Sequence, residues 1–245
     1  MSDEAAKTIQ ALYRRSDVPF DVDGLLPADL GEWPVSRPLA RWLARLIVHH
    51  QRRRVLEFGA GWSSVVLARA LAECRTGQLT SVEHQPEYLG ECWQRVEQAS
   101  TDAALVVAPL HRRLSRHGVL WHYRNISKAL APRAPFDLVL IDAPPGRFGR
   151  ASPLHDVFPL LTKDAVVILD DAARPREQTA IKQWQVTYPG LELVLLDRDT
   201  ADGVAVLRHD GTGRRRMAWR AAAWNVREQW REWRRGEGSS ATRPV

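Results

Sequence analysis

The sequence predicts an α/β protein, a doubly wound and mostly parallel sheet closed by an antiparallel hairpin, and three observations carry that reading. From Arg54 onward, short apolar runs alternate with segments of helical period, the pattern of repeated β-α-β units. Val55-Leu56-Glu57-Phe58 runs straight into Gly59-Ala60-Gly61 and a helix start, the corner at which open α/β sheets bind nucleotides. Leu191–Leu196 and Val204–Arg208 are apolar runs joined by only the residues from Asp197 to Gly203, too few for a crossover helix, so they must pair antiparallel.

The elements follow in order. Residues 3–15 read as a short helix, followed by a loop rich in Pro, Gly and Asp to Gly31. Ser36-Arg37-Pro38 supplies an N-cap with proline in the first turn, and Leu39, Trp42, Leu43, Leu46 and Ile47 recur at helical spacing up to His50. Then come strand 55–58, helix 63–72, strand 79–83, helix 86–99 and strand 104–108. An irregular segment over 109–135 precedes strand 136–141, a short helix after Ser152-Pro153, strand 165–169, helix 175–187 and the closing hairpin. The expected organisation is a helical cap over 1–54, one ligand-binding domain over 55–209, and a basic Trp/Arg-rich helix and tail over 210–245.

A chain of 245 residues that is 44% hydrophobic can bury a substantial core. Its two cysteines, Cys74 and Cys92, support neither a disulfide framework nor a thiolate metal site. No signal-peptide pattern opens the chain at Met1-Ser2-Asp3-Glu4, and no uncharged stretch approaches the ~20 residues of a membrane span. The expected location is the cytoplasm, with the tail as the one route to a membrane surface. The net charge of +6 is concentrated: residues 211–245 hold nine arginines and three glutamates, which leaves 26 basic and 26 acidic residues in positions 1–210. The basic character therefore belongs to the tail.

The glycine corner has a specific chemistry. Gly59 and Gly61 are expected to let the backbone turn and approach a ligand, with Ser63 or Ser64 capping the helix whose free N–H groups face it. A dinucleotide fingerprint would place its third glycine where Ser64 stands, and Glu57 would repel a pyrophosphate. That carboxylate suits a ligand bearing a cationic amine and a sulfonium. Glu83 ends the next strand 24 positions after Gly59, near the spacing at which a carboxylate accepts hydrogen bonds from ribose hydroxyls. The pattern E-x-G-x-G resembles motif I of the class I S-adenosylmethionine-dependent methyltransferases, whose fold is a seven-stranded sheet ended by an antiparallel hairpin. The resemblance implies S-adenosylmethionine as cofactor, with Glu57, Gly59, Ala60, Gly61, Ser63, Ser64, Glu83, His84 and Asp142 as its binding residues.

The carboxyl ends of the later strands carry Asp142, in Phe136–Asp142, and Asp170-Asp171. The run from Glu57 to Arg174 is similar to a set of bacterial methyltransferase-domain proteins with LEFG-, SVEH-, IDGPPG- and LDDA-x-R-type segments; here Ala143 stands where that set often has glycine. The placement of Asp142, Asp170 and Asp171 is also similar to the catechol-type and caffeoyl-CoA-type O-methyltransferases, which hold a divalent metal with an aspartate and an Asp-Asn pair. This chain has Asp171 in place of that asparagine. Two readings stay open: the three carboxylates hold Mg²⁺, or Asp170 caps the following segment and only Asp142 and Asp171 face substrate.

Asp142, His155 and Asp171 are the expected catalytic residues, with His155, 13 residues beyond Asp142, as the candidate base. Arg147 and Arg150 could bind an anionic group of the substrate or be solvated loop charges. The aromatics of His117–Tyr123 could stack a ring or pack a loop onto the sheet. In the tail, Trp219, Ala223, Val226, Trp230 and Trp233 fall on one helical face of a segment from Arg214 to Arg235, with arginines around the rest. That face suits docking on the protein's own body, a second subunit or an anionic membrane, in that order, with nucleic acid last because the body offers no basic groove.

The reading as a whole is an S-adenosylmethionine-dependent methyltransferase acting on oxygen of a small molecule or glycan. The alternatives are a non-catalytic binding protein of the same fold, a nucleic-acid methyltransferase using the basic tail, and a nicotinamide-dependent dehydrogenase.

Overall fold

The computed structural model describes residues 2–15, 17–29, 35–99, 102–197, 203–213 and 219–234. Nine strands are described: β1 (Arg54–Phe58), β2 (Gln78–Glu83), β3 (Asp102–Val107), β4 (Leu110–Ser115), β5 (Gly118–Tyr123), β6 (Phe136–Ile141), β7 (Leu161–Asp170), β8 (Leu191–Asp197) and β9 (Val204–His209). Between and around them lie α1 (Ser2–Arg14), α2 (Arg37–His49), α3 (Trp62–Glu73), α4 (Cys92–Gln98), α5 (Ile126–Leu130), α6 (Ala151–Val157), α7 (Pro175–Thr187) and α8 (Trp219–Arg234).

Seven strands form one sheet in the order β3-β2-β1-β6-β7-β9-β8. β1, β2, β3, β6 and β7 run parallel, while β9 pairs antiparallel with both β7 and β8. The strand order reverses beside β1, so the carboxyl ends of β1, β2 and β6 flank the crevice where such sheets bind ligands. Alternation of side chains divides the interior in two. Val55, Leu138, Leu140, Val166 and Ile168 face one layer with α1, α2 and α3. Leu56, Phe58, Val139, Ile141, Val167 and Leu169 face the other, with α6, α7 and β5.

Several expectations are met closely. Ser36 accepts from the Leu39 N–H at the start of α2, and α7 spans the expected residues. Two are corrected. The expected helix over 86–99 is a turn of 3-10 helix at Pro86–Tyr88 followed by the shorter α4, because Gly90 adopts a left-handed φ of 49° that interrupts helical propagation.

The segment expected to be irregular contains a β-hairpin, β4 with β5, paired from Leu110↔Tyr123 to Ser115↔Gly118. Its alternation is blurred because Leu114 points to solvent and is 74% exposed. The readable signal was the glycine at its turn, where Gly118 has φ 91°. The hairpin is clamped to α6 by His122 Nδ1 to Asp156 Oδ2 at 2.7 Å and by Arg113 to Asp156 Oδ1 at 2.9 Å.

α8 packs on β5, and Gly118 makes the approach feasible: a Cβ there would lie 2.4 Å from the Ala222 carbonyl oxygen and 2.9 Å from the Asn225 Cβ. The expected start of this helix at Arg214, with Arg216, its end at Arg235, the side chain of Trp233 and the linker 198–202 lie outside what is described.

Candidate active site

Strand β1 ends in Glu57 and Phe58, and the chain turns at Gly59 with φ 96°, a conformation open to glycine. A Cβ at Gly59 would also press on Ala143 Cβ at 3.0 Å, so the turn lies against the segment that follows β6. Of the two parts expected of Gly61, the turn itself does not require it. Its φ of −178° is extended backbone available to any residue, and nothing lies within 4 Å of the position its Cβ would take. The absence of a side chain there leaves open space at the mouth of the turn.

Glu57 is fully buried, beneath the turn rather than at its open face. Its Oε1 accepts from Ser63 Oγ at 2.5 Å, and its Oε2 from Ser64 Oγ at 2.5 Å and Ser81 Oγ at 2.7 Å. This corrects the expectation that the carboxylate is displayed to a cationic amine and that either serine is the N-cap. Gly61 is the N-cap of α3, and Ser64 reaches back from the third position to accept its N–H at 3.0 Å. Burial raises the Glu57 carboxyl to about 7, against the three serine hydroxyls that favour its charged form and with a smaller contribution from Glu83.

Glu83 closes β2 at the next position along the sheet edge. Its Oε1 accepts from the backbone N–H groups of His84 at 2.6 Å and Gln85 at 2.8 Å, which fixes the carboxylate at the crevice. His84 sits between Tyr123 and Phe148, with ring centroids 6.2 Å from each. Tyr123, from the hairpin, is 1% exposed and its hydroxyl has no hydrogen-bond partner among the described residues. Burial, then the charges of Glu83 and Asp142 opposed by Arg150, push its phenol well above the usual range, so at neutral pH it is a donor awaiting an acceptor.

The carboxyl ends of β6 and β7 bring Asp142 and Asp171 together around one side chain. Arg150 is buried, with Nη2 3.2 Å from Asp142 Oδ1 and 2.6 Å from Asp171 Oδ2. Its Nη1 donates to the Asp170 carbonyl at 3.0 Å and its Nε to the Pro144 carbonyl at 3.3 Å. Arg174 adds a second contact to Asp171 Oδ2 at 2.8 Å. Asp171 adopts φ 58°, a left-handed conformation that aspartate tolerates. Asp170 Oδ1 accepts from the Asp171 N–H at 2.9 Å, so it caps the segment after β7 as the second of the two open readings expected. Burial raises the Asp142 carboxyl well above its ordinary range; Arg150 opposes this, and Asp170, Asp171 and Glu57 add to it. Arg150 is not a solvated loop charge: it is the internal cation of the cluster, and it also lines the cleft beside it.

Comparisons with known proteins address the same residues. Residues 56–172 match the family model of a methyltransferase domain. That match covers just under half of the chain, and it spans the glycine corner and the carboxyl ends of β6 and β7. Among solved structures the chain resembles the cofactor-bound Rv0187 from MTB, at 22% identity over 85% of this chain and 91% of that one, with a TM-score of 0.55. It resembles an SAH-bound methyltransferase from Podospora anserina at 16% identity over 85% and 97%, with a TM-score of 0.57. It also resembles an O-methyltransferase from Bacillus cereus in complex with SAH, at 17% identity over 84% and 90%, with a TM-score of 0.53. No curated protein matches the chain.

Within this fold, His155 is not brought to the carboxylates. It lies on α6 with Nδ1 3.0 Å from the Tyr188 hydroxyl, and its ring stacks on His117 with centroids 3.7 Å apart. Tyr188 follows the far end of α7, and Phe158 beside it touches His209 at the end of β9, so this aromatic group extends toward the amino edge of the parallel strands. An amphipathic-looking histidine near Asp142 in sequence is thus a packing residue. A residue no sequence signal marked is Glu177, buried in the first turn of α7, whose two carboxylate oxygens have no side-chain hydrogen-bond partner among the described residues. A small, half-open cleft lies beside Arg150, lined by Leu120, Phe148, Arg176, Gln183 and Trp224. The C-terminal helix therefore forms one wall of the space next to the charged cluster.

Proposed function

We propose that this methyltransferase transfers a methyl group from S-adenosylmethionine to an oxygen atom of a small molecule or glycan, without a divalent metal. The single observation that carries the reading is Asp142 and Asp171 held around the buried guanidinium of Arg150 at the carboxyl ends of β6 and β7.

The residues fit the cofactor. Glu83, fixed through one oxygen, is placed to accept from ribose hydroxyls, the open position at Gly61 admits close approach of the ligand to the turn, and the unpartnered Tyr123 hydroxyl is available as a donor. Glu57 serves by holding Ser63, Ser64 and Ser81 so that the turn keeps its shape. Bound S-adenosylmethionine supplies an electrophilic methyl carbon on a sulfonium, which leaves as a neutral thioether.

The residues do not fit a divalent metal. A Mg²⁺ ion needs carboxylate oxygens at about 2.0–2.1 Å in near-octahedral array. Here Asp171 Oδ2 is taken by Arg150 and Arg174, Asp142 Oδ1 faces Arg150, and Asp170 Oδ1 caps a backbone N–H. Arg150 already supplies the positive charge. Asp142, whose proton affinity is raised by burial, is the base that takes the acceptor's hydroxyl proton as its oxygen attacks the methyl carbon. The guanidinium favours the developing alkoxide and repels a protonated amine, which is the reason for preferring oxygen over nitrogen. Similarity to an O-methyltransferase from Bacillus cereus supports the same choice.

The test follows S-adenosylhomocysteine release from the purified protein with a panel of hydroxylated acceptors, with and without EDTA. Turnover is expected to be unchanged by chelator, and Asp142→Asn to lower it by roughly 10²–10⁴-fold. Loss of turnover in EDTA with recovery in Mg²⁺ would reject the metal-free reading. Binding of NAD in preference to S-adenosylmethionine would reject the cofactor.

A further inference from the structure

Among its described side chains, helix α8 meets the body around Asn225. Asn225 is buried, its Nδ2 donates to the His117 carbonyl at 2.6 Å, and its amide pairs with that of Gln183 at 3.1 and 3.3 Å. The stripe expected to dock, by contrast, faces outward: Trp219 is 69%, Trp230 51% and Val226 44% exposed, and Ala223 is exposed with them. At about 100° per residue, these four side chains span an arc of roughly 60° centred some 130° away from Asn225.

The arginines are not scattered around the rest of the helix. Arg220, Arg227, Arg231 and Arg234 are all exposed, and by the same geometry they fill a second arc of about 60° directly beside the Trp/Val stripe. The Arg234 guanidinium lies over the Trp230 ring, 3.4 Å from its centroid, joining the two arcs. The outer surface of α8 is thus an apolar stripe flanked by a cationic stripe, and it belongs to a segment, 211–245, that carries the entire excess of +6.

We infer that this surface seats the protein on an anionic lipid bilayer, with Trp219, Val226 and Trp230 entering the headgroup boundary and the arginines meeting lipid phosphates. Tryptophan is favoured at that depth because its ring is apolar with one polar edge, and arginine beside it is held by phosphate charge. A second copy of the chain is a poorer occupant, since antiparallel apposition of the two helices would bring the arginine stripes together and a parallel pair would leave them unopposed by acidic groups. Nucleic acid would leave the tryptophan stripe in water and find no basic groove on a body whose residues 1–210 are neutral. The inference is independent of the acceptor and of the chemistry at Asp142.

The test is co-sedimentation of the full-length protein with vesicles of phosphatidylcholine alone or with about 30% phosphatidylglycerol. Binding is expected to the anionic vesicles only, weakening at least about tenfold when salt rises from roughly 0.1 to 0.5 M. Trp219→Ser/Trp230→Ser should abolish pelleting, and Arg220→Glu/Arg227→Glu should weaken it at least about tenfold, with melting temperature and S-adenosylhomocysteine affinity unchanged in both. Absence of pelleting at low salt overturns the inference. So does a wild-type dimer in light scattering that the tryptophan variant converts to a monomer, which would assign the stripe to a second copy, or equal loss of oligonucleotide binding in place of lipid binding.

Discussion

The same two strands, β6 and β7, carry an ionic cluster at each end, and the clusters are built to opposite rules. At the amino edge, Asp137 accepts from the backbone N–H groups of Arg53 and Arg54 at 3.0 Å each, while Arg52 donates to the carbonyls of Asp137 and Asp164 at 3.2 and 2.9 Å. Charge there is spent on closing backbone hydrogen bonds. At the carboxyl edge, Arg150 is shared between two acids, Asp171 adopts a left-handed conformation, and the Tyr123 hydroxyl and the Glu177 carboxylate are buried without hydrogen-bond partners. Buried polar groups left open cost stability, and they persist where a ligand completes them. Unpartnered buried atoms occur at the amino edge as well, Arg54 Nε and Thr162 Oγ1 among them, so what sets the carboxyl edge apart is one guanidinium shared by two acids beside a phenol and a carboxylate left open.

The comparison breaks most visibly at Arg150. Replacing it with methionine removes the buried cation shared by the two acids, leaving Asp171 with Arg174 alone and the part-buried Asp142 without its ion pair, and should lower stability by about 3–5 kcal/mol in urea denaturation. Adding Asp171→Asn should recover part of that loss; simple additivity of the two changes would mean that the ion pairs contribute little.

Proton linkage separates the edges next. Folded Glu57 keeps its proton up to about pH 7, whereas a carboxyl in the unfolded chain releases it near 4.5. Its contribution to stability is therefore fully present below pH 4.5 and is lost as pH climbs through 7, by up to about 3 kcal/mol. Asp142 and Glu177, also raised by burial, act in the same direction. Denaturation midpoints across pH 5–8 should fall for the wild type and fall less for Glu57→Gln.

A smaller effect is expected at the amino edge, where Asp137→Ala removes the acceptor of two backbone N–H groups. It should cost about 1–3 kcal/mol and leave S-adenosylhomocysteine affinity unchanged by calorimetry. A parallel drop in affinity would show the two edges to be coupled through β6. The smallest change in stability belongs to Tyr123→Phe. It removes a buried hydroxyl with no partner, so the melting temperature should hold or rise slightly while affinity for cofactor or acceptor falls roughly tenfold.

Much of this architecture was legible along the chain, and the parts that were not share a cause. Helix and strand periods, the Ser36 cap, the turn at Gly59 and the antiparallel end of the sheet are local signals, and each appears near where it was expected. The hairpin over 110–123 escaped because an exposed Leu114 breaks its alternation. Glu57 was read as displayed because spacing alone does not tell the two sides of a turn apart. His155 was read as a base because it follows Asp142 closely, yet α6 points it at Tyr188. The tail stripe was correctly grouped and wrongly aimed, since Asn225, a polar residue, turned out to be the docking point.

By itself the sequence determined the alternation of strands and helices, the glycine corner, the acidic strand ends and the segregation of charge into the tail. These follow from periodicity, turn chemistry and composition, all of which act over a few residues. Only the tertiary structure decided which acid meets which base, because Asp142, Arg150 and Asp171 sit on separate segments that the sheet brings together. It also decided that Glu57 lies beneath its turn and that the tryptophan stripe faces outward. Those outcomes depend on what packs against each element, through contacts between residues distant along the chain.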